Sequence, residues 1–123
     1  MGQRLVVIGG DAAGMTAAAV ARRRRDDLEI VALERGPWTS YSACGIPYLV
    51  SGEVAGVDDL VARSPEQFRT QRIDVRVNHE VTAIDLDARQ VEVHSTAHGR
   101  TFTLGFDLLH VATGAVPRRP PIP

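Results

Sequence analysis

The sequence predicts an α/β fold: a parallel sheet opened by a strand–turn–helix–strand unit, with an antiparallel β-meander inserted before the last sheet strand. Three observations predict it. Two short β-branched runs, Arg4 to Ile8 and Leu28 to Glu34, flank an alanine- and arginine-rich stretch from Ala13 to Arg25. A glycine-containing turn, Gly9 to Gly14, joins the first run to that stretch. Later, Val81 to Leu86, Val91 to Ser95 and Thr101 to Phe106 cluster or alternate apolar residues around the turn-like Asp87-Ala88-Arg89 and Ala97-His98-Gly99.

Taken in order, Arg4-Leu5-Val6-Val7-Ile8 is long enough for one buried strand. Gly9-Gly10-Asp11-Ala12-Ala13-Gly14 follows at once, then the helix, then the second strand ending in Glu34. A unit that closes in about 30 residues with an acid at its end is the Rossmann-like dinucleotide arrangement. Gly9 permits the tight turn, and Gly14 lets the helix pack close to the strand. The free N–H groups at the helix start face a pyrophosphate, and Glu34 accepts hydrogen bonds from a ribose hydroxyl. One position departs from G-x-G-x-x-G: Asp11 stands where the second glycine belongs. An acid beside a pyrophosphate is unfavourable unless its side chain turns away, and capping the helix is the expected way. A βαβ crossover that binds nothing is the alternative.

Gly45 to Gly52 reads as a short helix or turn. Ser64-Pro65-Glu66-Gln67 starts another helix, with Ser64 as cap, Pro65 in the first turn and Gln67 three residues on, ending near Gln71. Ile73 to Val77 is a third strand. Phe106 to Gly114 reads as a buried strand running into a small-residue turn.

Cys44 is the lone cysteine, in the run Ser40-Tyr41-Ser42-Ala43-Cys44-Gly45-Ile46-Pro47-Tyr48. It cannot form a disulfide within this chain. It is an inert buried thiol, a nucleophile, or a redox centre that pairs with another molecule. The short helix after it would favour a thiolate.

A net charge of −1 and 44% hydrophobic residues suit a globular protein and give no basis for non-specific nucleic-acid binding. Arg22-Arg23-Arg24-Arg25 is a basic run at a helix end, where cations favour the dipole. No apolar run reaches the length of a membrane helix. A cytoplasmic location is expected, since a reducing compartment suits one free cysteine. His79, His94, His98 and His110 are scattered, and no metal-ligand spacing emerges.

The glycine turn through Thr16, Glu34-Arg35, Ser40 to Tyr48, and Ala112 to Pro123 together resemble the start of a coenzyme A-disulfide reductase. That is the single-cysteine branch of the FAD-dependent pyridine nucleotide-disulfide oxidoreductases, which also holds NADH oxidases, NADH peroxidases and persulfide reductases. The likeness implies that residues 1–116 are the first segment of an interrupted FAD-binding domain. Residues 117–123, rich in proline, are then a connector towards an NAD(P)H domain outside this chain.

The resemblance implies FAD over Gly9, Gly10, Asp11, Ala12, Ala13 and Gly14, with further contacts at Glu34, Arg35, Val81, Ala112, Thr113 and Gly114. It implies NAD(P)H as co-substrate and Cys44 as the redox residue, carrying a mixed disulfide with coenzyme A or, in oxidase relatives, a sulfenate. A second cysteine five residues on, as in the two-cysteine reductases, is excluded by Leu49. Coenzyme A contacts map onto Thr16, Arg23, Ser40 and Arg72, and a homodimer is expected. Val20 and Ala43 stand where some members carry glutamine and asparagine, which leaves the thiol substrate open. The isolated chain is expected to be inactive, to hold FAD weakly or not at all, and to self-associate through an unpaired sheet edge. A non-catalytic nucleotide-binding module and a half-domain awaiting a partner chain are the competing classes.

Overall fold

The computed structural model describes residues 2–123. A four-stranded parallel sheet runs in the order β3-β2-β1-β7, built from β1 (Arg4–Ile8), β2 (Glu29–Leu33), β3 (Ile73–Arg76) and β7 (Leu108–Val111). The helix α1 (Ala12–Arg24) links β1 to β2. A separate antiparallel meander, β4 (His79–Asp85), β5 (Gln90–Ser95) and β6 (Arg100–Gly105), precedes β7, as the sequence predicts.

Strand alternation explains the layering. In β1 and β2, Leu5, Val7, Ile30 and Ala32 point to one side and join Met15, Ala18 and Phe68 in a helix-side core. Val6, Ile8, Val31 and Leu33 point to the other and meet Val91 and Val93 of β5. The central strands are apolar on both faces because the sheet is covered on both faces.

Two short helices position the rest. α2 (Ile46–Ser51) follows a 3₁₀ turn at Ala43–Gly45, and Gly52 ends it in the left-handed region at φ 86°. α3 (Pro65–Arg69) begins with the predicted reciprocal cap: Gln67 N–H donates to the Ser64 hydroxyl, and Ser64 N–H donates to the Gln67 side-chain oxygen. It ends two residues earlier than expected. A further 3₁₀ turn, Val57–Leu60, escaped the sequence reading because its apolar content has no helical period.

Two expectations are corrected. β7 is not a buried strand: Leu108 is 43% and Val111 55% exposed. Among the described residues it lies at the sheet edge and pairs with β1 alone. Asp11 occupies the N-cap position of α1, but its side chain makes no capping hydrogen bond. Among the described residues, no helix is long and apolar enough to cross a membrane.

Candidate functional site

The glycine turn is forced by close backbone approach. Gly9 has φ 109°, and a Cβ there would lie 2.0 Å from the Ala112 carbonyl oxygen. A Cβ on Gly14 would lie 1.9 Å from the Gly9 carbonyl oxygen, so no side chain can stand between helix and turn. Ala112 N–H donates to the Ile8 carbonyl, which seats Ala112-Thr113-Gly114 beside Gly9.

Glu34, one residue beyond β2, ties this turn to the next loop. Its carboxylate accepts from Gly10 N–H at 2.7 Å and from Gly36 N–H at 2.9 Å. These are charge-assisted bonds, and each oxygen retains a lone pair for a further donor. Gly9, Glu34, Arg35, Val81, Thr113 and Gly114 line one groove of about 200 Å³ with Ile8, Leu33, His79, Glu80 and Val116. The sequence reading missed His79, whose ring nitrogen lies 2.8 Å from the Val77 carbonyl and whose ring meets Phe102 edge-on.

A second, larger cavity, about 590 Å³, lies along α1 and contains Cys44. Its helix wall is Asp11, Ala12, Met15, Thr16, Ala19 and Arg23, residues that recur at helical spacing on one face. The opposite walls are Ser40 to Cys44 and the segment Ala62, Arg63 and Phe68. Asp11 and Ala12, expected at the nucleotide, also line the thiol cavity. The Oδ1 atom of Asp11 is buried without a hydrogen-bond partner among the described residues. The acid that replaces a glycine thus lines the thiol cavity and does not cap the helix.

Cys44 is exposed, which removes the reading of an inert buried thiol. It lies in the 3₁₀ turn before α2. The turn is held by Ser42 N–H to the Leu60 carbonyl and by a bridge between Tyr41 and Val61. Ser40 adopts φ 48°, a left-handed conformation that costs a serine about 1–2 kcal/mol. Two hydrogen bonds hold it there: Ser40 N–H donates to Gly10 O, and Ala62 N–H donates to Ser40 O. The turn there carries the chain from β2 past the start of α1 to Cys44 in the cavity.

Thr16, Arg23 and Ser40 are brought together in this cavity, as expected. Arg72 is not among its lining residues. Its guanidinium pairs with Asp26, and it lines a different hollow with Arg22, Glu29 and Asp74. Its place at φ 57°, just before β3, turns the side chain to the far end of α1. The basic run divides by role. Arg22 donates to the carbonyls of Gln71, Arg72, Arg25 and Asp26, fastening the end of α1 to the start of β3. Arg25 pairs with Asp27, holding that carboxyl down at about 2 through their side-chain hydrogen bond. Arg23 is left for the cavity.

The residues the sequence reading missed are Asp11 as a wall of this cavity, Tyr41, Ser42, Arg63 and Phe68. The helical spacing of Ala12, Thr16, Ala19 and Arg23 was the available signal for one wall. Nothing local marks the wall at residues 62–68.

The family model described as pyridine nucleotide-disulphide oxidoreductase matches residues 3–123. The chain is 35% identical to the NADH oxidase of Methanocaldococcus jannaschii, over 97% of this chain and 27% of that protein. It is 37% identical to the NAD(P)H coenzyme A polysulfide/persulfide reductase of Pyrococcus horikoshii, over 99% of this chain and 26% of that protein. Among solved structures, reduced Bacillus anthracis CoADR-RHD superposes with a TM-score of 0.94 at 31% identity, covering 100% of this chain and 22% of that one. The chain thus spans about a quarter of the length of these relatives.

Proposed function

Because this chain belongs to the pyridine nucleotide-disulphide oxidoreductase family, we propose that it is the first segment of an FAD-binding domain in a longer enzyme. That enzyme uses NAD(P)H to reduce coenzyme A disulfide, or a related small disulfide or persulfide, through Cys44. Residues 117–123 connect this segment to the NAD(P)H domain, and the enzyme works as a homodimer. The observation that carries the reading is an exposed single thiol in a cavity whose α1 wall begins at the glycine turn of the nucleotide groove.

The residues present fit FAD. Close backbone approach at Gly9 and Gly14 leaves a side-chain-free cradle at the start of α1, where unpaired N–H groups suit a pyrophosphate. Glu34 keeps acceptor capacity for a ribose hydroxyl, and Arg35, Val81, Thr113 and Gly114 line the same groove. Bound FAD would supply the electron pair that a disulfide accepts.

The chemistry of the chain itself is that of one sulfur. The Cys44 thiolate attacks one sulfur of the substrate disulfide, the S–S bond breaks, and the first thiol leaves as thiolate. Cys44 then carries a mixed disulfide. Two electrons and a proton cleave it, releasing the second thiol and restoring the Cys44 thiolate. Relatives named NADH oxidase favour a second reading, in which the same sulfur cycles between thiolate and sulfenic acid with an oxygen-derived oxidant.

Mass spectrometry of the full-length protein as isolated, oxidised, decides between them. A coenzyme A adduct on Cys44, released by NAD(P)H, is the expected result. An added oxygen there, with no thiol adduct forming on exposure to coenzyme A disulfide, would replace the reductase reading by the oxidase one.

Glu34→Ala tests the cofactor assignment. It removes the ribose acceptor and leaves Gly10 and Gly36 N–H without their partner. FAD affinity is expected to fall by about 1–3 kcal/mol. Unchanged flavin occupancy after dialysis would count against Glu34 as a ribose ligand.

A further inference from the structure

We propose that Arg63 is a specificity-determining residue of the Cys44 cavity, forming with Arg23 a two-cation receptor for the phosphates of a nucleotide-bearing thiol. The inference rests on the reading of Cys44 as the redox sulfur and names the substrate class that its cavity selects.

Arg23 and Arg63 line the same cavity from opposite walls, one on α1 and one on the segment before α3. Among the described residues, neither makes a salt bridge or a side-chain hydrogen bond, whereas Arg4, Arg25, Arg69, Arg72 and Arg76 are each paired with an acid. Two unpaired cations lining one cavity give it a positive field that favours a polyanion.

The position of Arg63 is built. The hydroxyl of Thr39, itself 1% exposed, donates to the Arg63 carbonyl at 3.1 Å, so the backbone is anchored to the strand of chain leading to Cys44. Its guanidinium carbon stands 6.0 Å from the centroid of the Phe68 ring, within reach of a cation–π contact. Phe68 is buried in the core cluster that holds Met15 and Ala18, the middle of α1. This leaves the planar donor fork held against the cavity wall, the form of cation best suited to phosphate.

The layout also selects for length. Ser40 is bonded to Gly10 at the start of α1, whereas Arg23 stands at the helix end, roughly 17 Å further along at the rise of an α-helix. A ligand whose sulfur meets Cys44 and whose anion reaches Arg23 must be extended, and it passes Arg63 on the opposite wall. Coenzyme A has that form. Pantetheine has the arm and the thiol without the nucleotide phosphates.

The test compares coenzyme A disulfide with pantethine on the full-length holoenzyme. Arg63→Gln should raise KM for coenzyme A disulfide about tenfold, the effect of losing one charged hydrogen bond. It should leave kcat and the pantethine KM in place, and Arg63→Lys should recover part of the loss. Arg63→Met keeps contact with Phe68 and serves if the glutamine variant folds poorly, with flavin absorbance as the check. Equal shifts for both substrates, or none for coenzyme A disulfide, would overturn the proposal.

Binding of adenosine 3′,5′-bisphosphate to the holoenzyme gives a readout independent of turnover. It should weaken about tenfold in Arg63→Gln and fall with ionic strength in the wild type. Should the wild type reduce neither disulfide yet bind the bisphosphate through Arg63, the proposed activity fails and the receptor stands. Bisphosphate binding that is absent, or indifferent to Arg63, overturns the receptor.

Discussion

Replacing Cys44 with serine should lower disulfide-reducing turnover of the full-length enzyme by roughly 10⁴-fold or more, the scale of removing an enzymatic nucleophile. Serine matches the thiol in shape, but its oxygen forms no mixed disulfide, and this chain has no other cysteine to substitute. Because Cys44 is exposed, the substitution leaves the core untouched. Folding and flavin content should therefore stay at wild-type levels, and NAD(P)H should still bleach the flavin band in rapid mixing. The loss should appear only in the thiols released. Wild-type disulfide turnover by the serine variant would return Cys44 to a surface thiol without a role.

The second large effect belongs to the glycine turn. Gly9→Ala combines a left-handed backbone, φ 109°, with a Cβ placed 2.0 Å from the Ala112 carbonyl oxygen and 2.7 Å from its carbon. Neither neighbour is a flexible side-chain end, so β1 and β7 must separate or the turn must change shape. A destabilisation of about 3 kcal/mol or more is expected, with loss of flavin.

Gly52→Ala provides the control. It has φ 86° but nothing within 4 Å of the new Cβ, so only the backbone strain of about 1–2 kcal/mol remains. Gly56→Ala, with open space and no positive φ, should be nearly neutral. Thermal melts of the three variants separate contact from conformation. Equal melting of Gly9→Ala and Gly52→Ala would show that the approach of Ala112 to the turn costs nothing.

Much of the fold was legible because its signals are local. After Arg4 and Glu29, the runs at β1 and β2 are apolar and alternate between two cores. The cap at Ser64 and Gln67 spans three residues and forms as written. The glycines of the turn announce positions where a side chain cannot stand. The sequence also carried the groove around Glu34, because the βαβ spacing places an acid at the end of the second strand beside the turn.

The cavity around Cys44 was less legible. Asp11 departs from the glycine fingerprint, but its place as a wall of the thiol cavity depends on the segments packed opposite it. The resemblance implies a coenzyme A contact at Arg72, whereas its guanidinium pairs with Asp26. β7 carries the apolar run of a core strand and is half exposed, because burial depends on what lies beyond the edge.

The sequence by itself therefore determined the α/β architecture, the glycine cradle with its acid, and the presence of a single redox-capable sulfur. Each follows from residues within one or two elements, where sterics, strand alternation and helix geometry act over a few positions. Tertiary structure alone decided which arginines line the cavity of that sulfur. Arg23 and Arg63 are forty positions apart and meet in one cavity only because Thr39 and Ser40 hydrogen-bond the 62–63 backbone and because Phe68 is buried beneath the guanidinium of Arg63. Such contacts depend on packing between distant segments, and no periodicity in the chain records them.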